Sequence, residues 1–103
     1  MTTKLVQILV ICRHPEILQT ILRLIRNKPE WEPAGCAPGA AALGLIEKQK
    51  FDVVLLGAGI EPHEDTQLRK SLSEHQPGVR IVQHYGGGSG LLFAEIYQAL
   101  NGN

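Results

Sequence analysis

No stretch of these 103 residues approaches the roughly 20 consecutive apolar residues of a membrane span, and the N-terminus has no signal-peptide pattern. A cytoplasmic location is therefore expected, with no membrane partner. Charge of one sign is also lacking: ten basic and ten acidic residues give a formal net charge of +0, which leaves no overall electrostatic footprint for nucleic acid. Two cysteines, Cys12 and Cys36, are too few for a disulfide scaffold and read as small reduced apolar residues. Repeats, linkers and low-complexity tracts are absent apart from one glycine cluster, so residues 1–103, 44% of them hydrophobic, read as one domain able to build a single core.

What is present is a regular alternation of short buried runs and amphipathic segments. Lys4 to Ile11 is a mostly continuous β-branched apolar run, as expected of a strand covered on both faces. Pro15 suits a first helical turn, and Ile17, Leu18, Ile21, Leu22, Leu24 and Ile25 then form one apolar stripe of a helix ending near Asn27. Trp31 to Ala37 reads as a second strand, placed at a sheet edge by Pro33, which lacks a backbone donor. Gly39 to Lys48 reads as a helix with Ala42, Leu43, Leu45 and Ile46 inward. Phe51 to Leu56 is the most strongly buried strand pattern, and so the central one. A polar helix over Glu64 to His75 with a thin Leu68 and Leu72 stripe, a strand over Val79 to Tyr85 and a helix over Gly90 to Leu100 complete the series. Such alternation implies an α/β domain with a parallel sheet wound right-handedly.

The segments Ile8-Leu-Val-Ile-Cys-Arg-His-Pro-Glu-Ile-Leu18, Pro38-Gly-Ala-Ala-Ala-Leu-Gly-Leu-Ile46, Phe51-Asp-Val-Val-Leu-Leu56 and Glu74-His-Gln-Pro-Gly-Val-Arg-Ile-Val82 resemble consecutive segments of response-regulator receiver domains, in order and spacing. The resemblance implies a flavodoxin-like open sheet of strand order 2-1-3-4 with four helices, lacking the fifth strand and helix of that family. Receivers keep an acidic pair after the first strand, a phosphate-accepting aspartate after the third and a Ser or Thr after the fourth. In this sequence those positions carry Cys12-Arg13, Gly57 and the stretch ending at Tyr85. Gly57 offers no nucleophilic oxygen and Arg13 opposes a magnesium ion, so acyl phosphate formation is not expected.

Other signals are weaker. Gly57-Ala-Gly59 after a strand starts like a dinucleotide fingerprint, but Pro62 stands where the third glycine belongs. The loop Gly86-Gly-Gly-Ser-Gly90 precedes a helix and lacks a P-loop lysine; with Arg13, its amides at Gly87, Gly88 and Ser89 form a candidate anion site. Cys12, Arg13, His14, His63 and His84 are all expected on the carboxyl-end rim of the sheet, with His75 at the opposite end. Their spacing fits no metal motif, and neither metal nor cofactor is expected.

The strongest signal is a surface. An unpaired fourth-strand edge invites another chain, and the last helix carries Leu92, Phe93, Ile96, Tyr97 and Leu100, more apolar residues than one buried stripe requires. Ala40, Ala41 and Gly44 on the second helix also permit close packing with a neighbour. The expected role is a non-phosphorylatable pseudo-receiver acting as a homodimerisation or protein-interaction module, without catalysis of its own. The alternative is a small anion- or ligand-binding module using the glycine loop and the Cys12-Arg13-His14 rim.

Overall fold

The computed structural model describes residues 5–84 and 89–101. Four strands and four helices alternate: β1 (Val6–Ile11), α1 (Pro15–Arg26), β2 (Trp31–Cys36), α2 (Ala40–Lys48), β3 (Val53–Leu56), α3 (Pro62–His75), β4 (Arg80–Gln83) and α4 (Ser89–Leu100). All pairings are parallel and the sheet order is β2-β1-β3-β4. The expected elements are all present; β3 begins at Val53 rather than Phe51 and α3 at Pro62 rather than Glu64, while the expected strand ends Lys4 and Tyr85 lie outside the described residues. Among the described residues no helix is long and apolar enough to cross a membrane.

Burial follows the strand period of two. On one face, Ile8 and Val10 of β1 and Val53 and Leu55 of β3 meet Ile21, Leu22 and Ile25 of α1 together with Leu92 and Ile96 of α4. On the other, Leu9, Ile11, Val54 and Leu56 meet Ala42 and Ile46 of α2 and Leu68 and Leu72 of α3. The central strands β1 and β3 are apolar on both sides, which is why they read as continuous runs rather than alternations.

Three expectations are corrected. The sheet face beside α1 is not left uncovered: α4 lies across it, and Leu92 and Ile96, spaced one helical turn apart, are buried in the chain's own core rather than available to a second copy. Phe93 and Leu100 are half-buried against the same cluster, leaving Leu91 and Tyr97 as the exposed large apolar residues of α4. The stripe of α1 is also narrower than expected, because Ile17 is 43% exposed.

A polar knot secures the opposite end of the sheet. Gln76, just past α3, is 6% exposed; its carbonyl oxygen accepts from Phe51 N–H at 2.8 Å and its amide donates to the Ile46 carbonyl at 2.9 Å and the Gln49 carbonyl at 2.7 Å. One side chain thus ties the exit of α2 and the entry to β3 to the end of α3.

Candidate functional site

The carboxyl ends of β1 and β3 are where an open α/β sheet of this order places its crevice, since the chain winds outward in both directions from these two neighbours. In this protein backbone hydrogen bonds tie the ends of β1 and β3 together there. Gly57 N–H donates to the Ile11 carbonyl at 2.8 Å and Arg13 N–H to the Ala58 carbonyl at 3.0 Å. Gly57 is buried, and a Cβ added to it would stand 3.2 Å from Cys12 Cβ and 3.4 Å from the Ile11 carbonyl oxygen. Gly59 has φ +84°, and a Cβ there would come within 2.6 Å of Arg13 Cβ, so glycine is required on both conformational and steric grounds.

The side chains of the rim look elsewhere. Arg13 reaches across to Glu64 on the first turn of α3 and pairs with it. Glu64 also accepts from Glu61 N–H at 3.0 Å, closing the start of α3. These contacts, the Glu61 amide first and the Arg13 guanidinium after it, hold the Glu64 carboxyl below its ordinary value of 4.5 against a smaller upward push from burial. Cys12 is 1% exposed and its thiol donates to the His14 carbonyl at 3.5 Å. Cys36, at the end of β2, is half-buried, and burial pushes its thiol up to about 11.

The rim histidines do not converge. His14 is exposed beside Gly59. His63 lies on α3 with Glu61 at 3.5 Å. His84, whose N–H pairs with Leu56 at the end of β4, places Nδ1 2.5 Å from Glu95 of α4, both side chains largely buried. This pair joins β4 to α4, and sequence inspection offers no signal for it. His75 lies near Phe51, Asp52 and Arg80 at the other end of the sheet, as expected. A cleft of about 420 Å³ remains above β3 and β4, between Ile17, Ile60, Gln83 and His84. Among the described residues no three His, Cys, Asp or Glu side chains are grouped as metal ligands would be.

Of the candidate anion site, Arg13 is committed to Glu64 and Ser89 heads α4; Gly87 and Gly88, like Tyr85, lie outside the described residues. Ala40 and Ala41 are exposed, and nothing stands within 4 Å of where a Gly44 Cβ would be.

No protein-family model matches the chain, and no curated protein matches it in sequence. Solved structures do. The lactose-specific IIB component domain of the phosphoenolpyruvate:carbohydrate phosphotransferase system from Streptococcus pneumoniae superposes with a TM-score of 0.66 at 16% identity, covering 95% of this chain and 93% of that one. The receiver domain of the stress response regulator RcsB from Escherichia coli gives 0.64 at 14% identity over 93% and 76%. The signal receiver domain of the response regulator NarL from Mycobacterium tuberculosis gives 0.65 at 25% identity over 95% and 77%. The strand order β2-β1-β3-β4 and these superpositions agree: the chain has a receiver-like, flavodoxin-like fold.

Proposed function

We propose that this chain is a non-phosphorylatable pseudo-receiver that acts as a protein-interaction module in two-component-type signalling, in the cytoplasm and without catalysis of its own. The observation that carries the reading is Gly57. At the position where the receiver resemblance calls for an acceptor aspartate stands a buried glycine, packed closely against Cys12, that offers no nucleophilic oxygen. Beside it Arg13, in place of a metal-binding acid, is bound to Glu64, the carboxylate on the facing turn of α3. Phosphoryl transfer to a carboxylate needs both a nucleophile and a cation to neutralise the phosphoryl oxygens. A receiver fold stripped of both retains its surfaces, and surfaces recognise partners.

The anion-binding alternative has less support, because the cation it would use is already paired and Cys12 is buried. The likeness to a phosphotransferase-system domain, at 16% identity, speaks to the fold. Intact-mass measurement after incubation with acetyl phosphate or phosphoramidate and magnesium tests the proposal. Unchanged mass is expected; a stoichiometric phosphate adduct overturns it.

A further inference from the structure

The two edges of the sheet are built differently. Hydrogen bonds from Val6 N–H to the Glu30 carbonyl and from Cys12 N–H to the Cys36 carbonyl set the parity of β2. Even-numbered residues of β2 face β1, and Trp31, Pro33 and Gly35 turn their backbones outward. Pro33 therefore sits in the middle of the outer edge, at a position where a neighbouring strand would need an N–H and finds none. At the opposite edge, Arg80 N–H donates to the Asp52 carbonyl and His84 N–H to the Leu56 carbonyl. By the same parity Arg80, Val82 and His84 face β3, while Ile81 and Gln83 point N–H and C=O away from the sheet. Neither is proline. Among the described residues no strand pairs with this edge.

We propose that the occupant is β4 of a second copy of this chain, paired antiparallel about a two-fold axis at Val82. An antiparallel hydrogen-bonded pair needs two outward-facing residues opposite each other. A register centred on Val82 supplies this, setting Ile81 of each copy against Gln83 of the other, with Val82 beside its own symmetry mate as the closer, non-hydrogen-bonded pair. The axis is perpendicular to the sheet, so the α1 and α4 face of one copy continues into the same face of the other.

Charge fits the same register. Arg80 and Glu95 line one groove along the β4 edge. Arg80 is exposed and has no ion-pair partner among the described residues, whereas Glu95 spends one carboxylate oxygen on His84. With Arg80 of one copy opposite His84 of the other, each guanidinium meets the Glu95 carboxylate across the axis, twice per dimer. Closure follows from symmetry. The pairing consumes both open edges, and the eight-stranded sheet ends on two β2 strands blunted by Pro33, so the assembly stops at two copies.

The inference rests on the reading of the chain as an interaction module, and names the module's partner. Sedimentation equilibrium of the whole chain from micromolar to millimolar concentration should give twice the chain mass with no larger species. Ile81→Pro removes one outward donor, as Pro33 does at the other edge, and should be monomeric with unchanged circular dichroism. Arg80→Glu should raise the dimer dissociation constant about tenfold or more, since like charges then face each other. In a Cys36→Ser background, Val82→Cys should form a disulfide between copies on mild oxidation, because residues in a non-hydrogen-bonded pair lie within disulfide reach.

A monomeric wild-type chain overturns the proposal. So does a dimer in which Val82→Cys fails to cross-link. Neither result touches the phosphate-labelling measurement, whose outcome decides the broader reading separately.

Discussion

Gly57 and Cys12 pack backbone against side chain at the point where β3 leaves the sheet, and a Cβ at 57 would come within 3.2 Å of Cys12 Cβ. On the proposed reading, the place of a receiver's acceptor aspartate is thus taken by a closely packed residue with no nucleophile. A side chain returned to this position crowds Cys12 by a few tenths of an ångström, and the ion a carboxylate there would need meets Arg13 instead of an acidic pair.

Gly57→Asp is accordingly expected to remain unlabelled by acetyl phosphate and magnesium, as judged by intact mass. The same variant should lose about 1–3 kcal/mol of stability in urea unfolding, the usual range for forcing atoms into a packed site. Gly57→Asp combined with Arg13→Asp is the informative companion: labelling of the double variant alone would assign the remaining block to Arg13.

The ion pair at the rim sets a pH dependence. Glu64 is held below its ordinary carboxyl value, chiefly by Glu61 N–H and then by Arg13. A carboxylate with a lowered folded pKa contributes stability that is fully present above its unfolded value and is lost as pH falls through the folded one. Wild-type chain should therefore exceed Glu64→Gln in stability near neutral pH, with the gap closing below about pH 4.5. Arg13→Ala should shrink this gap without abolishing it, because the Glu61 amide remains. Urea unfolding at several pH values measures both, and added magnesium should stabilise none of the three chains.

Much of the fold was legible because it is written in local periodicity. The run Val53-Val-Leu-Leu56 declares a strand buried on both faces, and Pro33 declares an edge, since its missing donor is tolerated only where no neighbour needs it. The position of Gly57 at the end of β3 could be read from spacing alone. What periodicity does not carry is which face an amphipathic helix chooses. The apolar residues of α4 fit either an external partner or the chain's own sheet, and the structure spends Leu92 and Ile96 internally. The His84 and Glu95 pair, eleven residues apart across a strand and a helix, leaves no periodic trace either. The same holds for Gln76, a polar residue after a polar helix whose role depends on carbonyls 27 and 30 positions away.

Gln76 makes the sharpest stability test. Gln76→Ala strands Phe51 N–H and the carbonyls of Ile46 and Gln49 at the edge of the core, and buried polar groups without partners are costly. A loss of about 2–4 kcal/mol is expected. Gln76→Glu should also destabilise, since a carboxylate keeps the acceptor for Phe51 but brings oxygen against two carbonyls. If Gln76→Glu proved as stable as wild type, water would have to satisfy those carbonyls.

The aromatic group on α4 separates packing within the chain from packing between chains. Trp31, 4% exposed, meets Phe93 edge-on at 5.8 Å and Tyr97 at 5.1 Å between ring centroids, with the Lys28 ammonium 5.0 Å from the Phe93 centroid. Phe93 thus roofs the single tryptophan, which makes Trp31 fluorescence a direct reporter of α4. Phe93→Ala should cost about 1–2 kcal/mol, less than a fully buried phenylalanine because its ring is half-covered, and should shift Trp31 emission to longer wavelength as water reaches the indole. Tyr97→Ala should do less, its side chain being 41% exposed. Because Phe93 packs inside the chain, Phe93→Glu is expected to unseat α4, so any loss of dimer in that variant would accompany a loss of Trp31 burial. Ile81→Pro should leave the emission where it is. An edge variant that altered Trp31 fluorescence as strongly as Phe93→Ala would mean that the β4 edge and the seat of α4 cannot be separated.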